Sequence, residues 1–169
     1  VMLPAGLKEI EKNAFGGCET LTSINLPEGL KTIGEGAFTA CFALSDPTIP
    51  KSVKTIEENA FYQCGSLTHV TLPDDAQLTT IGKNAFFRCR SLTNLTIPKN
   101  VTAIGQSAFN ECLALKSITI PNGVTAIADF AFQGCTALKD VTVAWETPIQ
   151  PNSDAFKQLP LDKIRLHVP

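Results

Sequence analysis

Apolar residues of this chain return every 23 positions, and that period constrains the fold more than any other feature. Leu3, Leu26, Ile49, Leu72, Ile97, Ile120, Val143 and Leu166 form one column, with every step 23 except a single step of 25. Ile10, Ile33, Ile56, Ile81, Ile104 and Ile127 form a second. The Phe of a recurring Ala-Phe pair makes a third: Phe15, Phe38, Phe61, Phe86, Phe109, Phe132 and Phe156. Cys18, Cys41, Cys64, Cys89, Cys112 and Cys135 make a fourth, which takes in every cysteine of the protein. A fixed period in the twenties is the mark of a solenoid, in which each unit is too small to bury its own apolar face and stacks on its neighbours instead. Residues 1–169 therefore read as one array of about seven units.

Composition agrees with a continuous core. Hydrophobic residues are 44% of the chain and charged ones 18%. A net charge of −2 provides no basic field, which argues against nucleic acid as a partner. No run of 18 apolar residues is present to span a membrane. The chain opens with Val1-Met2-Leu3-Pro4, already inside a unit, which reads as a piece of a longer protein.

Within a unit the segments are short. In Leu67–Leu72, Val70 and Leu72 alternate with His69 and Thr71, giving a strand with two residues inward and two outward. Successive copies run the same way, so the stack makes a parallel sheet. Pro27, Pro50, Pro73, Pro98 and Pro121 end the strand because proline lacks the N–H. A second extended piece, such as Val101–Ile104, buries its first and last residues, and Gly34, Gly82 and Gly105 follow it. On the third side, Asn13, Asn59, Asn84 and Ser107 precede Ala-Phe where a helix N-cap is wanted. Cys follows Phe by three residues and Leu follows Cys by three, which suits about two turns of α-helix or a 3₁₀ turn. The expected fold is thus an α/β solenoid, with a parallel sheet on one side and short helices or turns opposite.

Departures from the pattern are specific. Pro47 takes the inward strand position held elsewhere by Ile24, Val70, Leu95, Ile118 and Val141, removing a ladder donor. Asp74-Asp75-Ala76-Gln77 adds two residues to one turn. Phe130 replaces the N-cap residue, leaving Asp129 to cap. The final unit, 144–169, is irregular: Leu159 replaces Cys, and Pro148 and Pro151 stiffen the loop before it.

Six cysteines in one column stand side by side, with backbones ~4.8 Å apart as between neighbouring strands. A disulfide wants its Cβ atoms ~3.8 Å apart and facing each other. The column therefore reads as buried free thiols between Phe and Leu. Zinc is the other reading, and it lacks CxxC pairs and a tetrahedral arrangement. No metal or other cofactor is expected.

The repeated pattern L-x-x-I-x-I-P-x-x-V-x-x-I-G-x-x-A-F-x-x-C-x-x-L, followed closely over Leu95–Leu115, resembles the BspA-like leucine-rich-repeat family. The resemblance covers residues 3–143, with a weaker last repeat. The common leucine-rich repeat places Asn or Cys where this chain has Gly29, Ser52, Asp75, Asn100 and Gly123, so the common type is not matched. Pro148 and Pro151, Asp154-Ala-Phe156 and Ile164–Pro169 look like the closing repeats of bacterial members. The resemblance implies a right-handed leucine-rich-repeat coil. It also implies a secreted or cell-surface protein of a bacterium or protist parasite, with adhesion or host-protein binding as its role and no catalytic residue.

Enzyme chemistry has little support in the residues themselves. His69 and His167 lie about four repeats apart, and a nucleophile needs a base within hydrogen-bond reach. Binding has two candidate surfaces. The strand face presents Asp46, His69, Asn94, Ser117 and Asp140 in one outward column, and Thr48, Thr71, Thr96, Thr119 and Thr142 in the next. From these, Asp46, His69, Thr71, Asn94, Thr96, Ser117, Thr119 and Asp140 are the candidate protein-binding residues, the varied column carrying specificity. The plainer reading of the threonines is β-propensity and solubility, which leaves a spacer that binds nothing as the rival function. Tyr62 and Phe87, each directly after its Ala-Phe pair, form a secondary patch; they serve equally well as cover for a neighbouring turn. Lys8, Lys31 and Lys54 lie near Glu9, Glu11, Glu57 and Glu58 and read as a self-neutralising solvated face.

Overall fold

The structure is a computed structural model and describes residues 1–144, 154–159 and 164–167. The chain winds through six coils, each marked by one core phenylalanine from Phe15 to Phe132, and Phe156 stacks on the last. Rings of successive coils lie 5.1–5.4 Å apart and within 13° of parallel. Five of them, Phe38 to Phe132, are fully buried. They form a continuous spine, walled by the Ile, Leu and Cys columns.

Each coil has three sides. The first carries β1 (Glu9–Ile10), β2 (Thr32–Ile33), β3 (Thr55–Ile56), β4 (Thr80–Ile81), β6 (Ala103–Ile104) and β8 (Ala126–Ile127). These two-residue strands make a six-stranded parallel sheet in which every Ile faces inward. The two extra residues at Asp74–Asp75 leave its register intact, since Ile56 still pairs with Ile81. Gly34 and Gly105 close this side. An added Cβ would lie 2.6 Å from the Ile10 carbonyl oxygen at Gly34 and 2.7 Å from backbone atoms of the preceding coil at Gly105, so close approach of the coils requires glycine there.

The second side carries β5 (Asn94–Thr96), β7 (Ser117–Ile120), β9 (Asp140–Val143) and β10 (Arg165–His167), a four-stranded parallel sheet in the order β10-β9-β7-β5. Towards the N-terminus this ladder thins to the bridges Met2–Asn25, Thr48–Thr71 and His69–Asn94. Pro47 stands at the break, buried. Ile49 N–H donates to the Thr71 carbonyl, and two residues earlier proline has no N–H to offer His69 in the same register. The last unit corrects one column. Leu166 pairs with Val141 rather than standing in line with Val143, so Arg165 falls beside Asp140 and His167 beside Thr142. Pro148 and Pro151 lie outside the described residues.

The third side departs from expectation, because no helix occurs among the described residues. Asn13, Asn59, Asn84 and Ser107 are not N-caps: each has φ between 52° and 57°, in the left-handed region, as do Gly36 at 62° and Phe130 at 62°. Four residues later a second left-handed position follows, at Gly17, Ala40, Gln63, Arg88, Glu111 and Gly134. Between them the chain makes consecutive tight turns, as when Tyr62 N–H donates to Asn59 C=O and Cys64 N–H to Phe61 C=O. Alternate N–H groups leave the turn altogether and donate to the next coil, as Asn59 to Lys83, Phe61 to Ala85 and Gln63 to Phe87. A backbone that sends every second donor along the stack cannot also close i→i−4 bonds, so the residue spacing of a helix is realised as a ladder of turns.

Candidate functional site

The sheet of β5, β7 and β9 holds the predicted strand face. His69, Thr71, Asn94, Thr96, Ser117 and Thr119 together line one open concavity of about 510 Å³, floored by Val70, Leu72 and Leu95 and edged by Pro73 and Asp74. Ladder pairing brings them together, since Asn94 stands beside Ser117 and Thr96 beside Thr119. Ser117 Oγ donates to Asn94 Oδ1 at 3.0 Å, and Asn94 Nδ2 donates to Thr93 Oγ1 at 3.4 Å. The side chains thus hold one another in place along the stack.

Two predicted residues lie apart from this hollow. Asp46 sits on its N-terminal flank and lines a separate one with Val1, Met2 and Thr48. Its Oδ1 accepts from Thr68 Oγ1 at 2.6 Å and lies 3.3 Å from His69 Nδ1. The Thr68 and Ser45 hydroxyls, then His69, hold the Asp46 carboxyl below the usual range. Thr68 Oγ1 is also 3.2 Å from that same His69 Nδ1. Asp46 and Thr68 therefore share one ring nitrogen, and the imidazole cannot relay a proton between them as a triad histidine does. Asp140, at the other flank, accepts from Arg165 Nε at 2.7 Å and lies 3.3 Å from His167 Nε2; the Arg165 guanidinium lowers its pKa.

Tyr62 and Phe87 lie on the turn side, away from the strand face. Their rings stack at 5.0 Å and 5°, and the Arg88 guanidinium lies 5.1 Å from the Phe87 centroid. Sequence reasoning missed the charge cluster beside them. Arg88 binds Glu111 through two hydrogen bonds of 3.0 and 3.1 Å, and Arg90 adds a third at 3.2 Å. Arg88 and Glu111 are 23 residues apart, so their shared column was the available signal. Lys8, Lys31 and Lys54 form no ion pair among the described residues. Neutralisation on this flank comes from Lys12–Glu35 and Lys83–Glu58, each at 2.9 Å.

The cysteine column is free of disulfides, as expected, but not uniformly buried. Cys41, Cys64, Cys89, Cys112 and Cys135 are buried; Cys18, in the first coil, is exposed. Burial pushes the Cys41 thiol up to about 11 and Cys135 to about 12, and raises Cys64, Cys89 and Cys112 as well. Such thiols are poor nucleophiles. Among the described residues no three His, Cys, Asp or Glu side chains gather as metal ligands, and no helix is long and apolar enough to cross a membrane.

Comparison with known proteins places the architecture. The pattern of the BspA type leucine rich repeat region matches in six copies, over residues 1–112 and 54–168. The leucine rich repeat protein of T. pallidum is 33% identical over 86% of this chain and 72% of its own, with a TM-score of 0.79. A leucine rich cell surface protein from Faecalibacterium prausnitzii is 27% identical, over 100% of this chain and 60% of its own, with a TM-score of 0.56. The pneumococcal vaccine antigen PcpA shares the fold at 21% identity and a TM-score of 0.74, over 99% of this chain and 38% of its own. The chain thus spans less than two thirds of two of these three proteins. No curated protein matches it. The six-copy match, covering nearly the whole chain, identifies it as a member of the BspA-type leucine-rich-repeat family.

Proposed function

We propose that this chain is a non-enzymatic protein-binding module of a secreted or cell-surface protein, and that its partner is an extracellular protein, such as one on a host surface, held on the strand face. One observation carries the reading: six residues chosen from the sequence line a single concavity on a backbone fixed by sheet pairing. Groups already held in place lose little entropy on binding. The varied column of Asp46, His69, Asn94, Ser117 and Asp140 supplies discrimination that the Thr row cannot. Membership of the family and the likeness to a cell surface protein support the location.

The test is capture from host extracellular material on immobilised protein, followed by affinity measurement with variants. His69→Ala with Asn94→Ala should weaken binding while changing stability by no more than ~0.5 kcal/mol, the usual range for surface positions. Lys31→Ala with Lys54→Ala should bind as wild type. Equal affinity for the His69/Asn94 variant moves the site off this face. The mostly Thr and Ser surface favours a second reading, a spacer that presents another domain, and failure to capture any partner selects it.

A further inference from the structure

The turn side carries a further concavity, remote from the strand face and independent of the reading above. It is an open groove of about 420 Å³ whose walls include Tyr62, Thr39, Gly36, Glu35, Asn13 and Asn59. Its origin is a gap in two columns. Asn13, Gly36, Asn59 and Asn84 occupy the first left-handed position of successive coils, and the second coil alone among these four lacks a side chain there. In the column of Tyr62 and Phe87, the second coil has the small Thr39. The stack of rings therefore ends at Tyr62. Phe87 covers one ring face of Tyr62, Arg88 lies over Phe87, and the hollow opens beside Tyr62 toward the coils of Thr39 and Asn13.

The lining is one aromatic plane surrounded by amides, a hydroxyl and a carboxylate, with no aliphatic wall and no cation. Part of its polar capacity is used. Thr39 Oγ1 donates to the Asn59 carbonyl at 2.9 Å, Asn84 Nδ2 donates to Asn59 Oδ1 at 3.1 Å, and Glu35 Oε2 accepts from Lys12. Asn59 Nδ2, the Asn13 amide and Glu35 Oε1 have no side-chain hydrogen bond among the described residues. An apolar peptide side chain would bury these groups unsatisfied, at a cost. A ligand with one flat C–H face and a rim of hydroxyls satisfies both parts at once: the face lies on the ring and the hydroxyls meet planar acceptors and donors. A carboxylate on the wall without a free cation disfavours acidic ligands.

We propose that this groove binds a neutral pyranose residue of a glycan, stacked on Tyr62 and hydrogen-bonded by Glu35, Asn13 and Asn59. Tyr62 is the only tyrosine of the chain, so protein labelled at the tyrosine ε carbons gives one aromatic resonance that reports on this site alone. The experiment titrates it with neutral methyl pyranosides (glucose, galactose, mannose and N-acetylglucosamine) and with methyl glucuronide, into the tens of millimolar. The expected result is a saturable shift with at least one neutral glycoside and none with the glucuronide. Gly36→Asn refills the gap with the residue that neighbouring coils accept at the same left-handed φ, and Asn13, being exposed, has room to swing aside. That variant should melt as wild type and bind the same glycoside at least about fivefold more weakly. For Tyr62→Ala, saturation transfer to the ligand should be lost. No saturable shift with any neutral glycoside, equal binding of the glucuronide, or unchanged binding by Gly36→Asn overturns the proposal.

Discussion

The thiol of Cys64 donates to the carbonyl oxygen of Phe38, one coil back, at 3.1 Å. That oxygen already accepts the backbone N–H of Cys41 at 3.1 Å, so both of its lone pairs are engaged. The same bridge links Cys41 to Phe15, Cys89 to Phe61, Cys112 to Phe86 and Cys135 to Phe109. The column is cysteine because the site wants a small apolar group that can also donate.

Titration with a thiol reagent should find one fast-reacting group in folded protein and six in unreduced, denatured protein. Cys18→Ser should remove the fast one. Two or more fast thiols in the folded state would contradict the burial of the other five.

Stability should fall in alkali. The folded pKa of these thiols lies above the ordinary thiol value of 9.0. Their contribution is therefore complete below pH 9.0 and is lost as pH rises towards about 11 for Cys41 and about 12 for Cys135. A fully buried thiol such as Cys112 contributes a slope on the order of 1.4 kcal/mol per pH unit. Stability between pH 9 and pH 11 should decline less steeply for Cys112→Ala, by about one proton.

Ala40 holds φ at 57°, where Gly17 and Gly134 stand in other coils. A Cβ in the left-handed region costs roughly 1–2 kcal/mol, partly offset by the greater freedom of glycine in the unfolded chain. Ala40→Gly should raise stability by about 0.5–1 kcal/mol in denaturant unfolding, and a lowered midpoint would refute the strain.

Pro47→Val should restore an N–H for the His69 carbonyl and extend the strand ladder towards the N-terminus. The gain should be about 1 kcal/mol, from the restored hydrogen bond, since Pro47 is already buried and valine carries the same number of side-chain carbons. An unchanged midpoint, with no new protection of the amide at residue 47 from hydrogen exchange, counts against it.

Much of this was legible because a solenoid writes its cross-section into the sequence once per coil. The Ile and Phe columns, the Thr row and the break at Pro47 all fell where pattern put them. The helical side did not. Phe61, Cys64 and Leu67 repeat every three residues whether the backbone closes helical bonds or hands its donors to the next coil, so apolar spacing cannot separate the two. Left-handed preference could have: Asn or Gly at 13, 36, 59 and 84, with Gly again at 17 and 134, marks two positive-φ positions four residues apart. Cys18 differs from its column because equal spacing in sequence does not report how far each coil is covered. Of the strand-face residues, sequence gave the outward columns, but not that six of them share one hollow.

The ladder bonds on all three sides run along the stack, so tension between the chain ends acts along them and not across them. Such a molecule does not shear as a block. Rows of bonds open one coil at a time, because each coil that releases leaves the next with a neighbour on one side only. Each release frees about 23 residues, roughly 80 Å of extended chain for a few ångströms of stack. Under steady pull the protein therefore lengthens in equal steps, a shock absorber whose stroke is set by the repeat period.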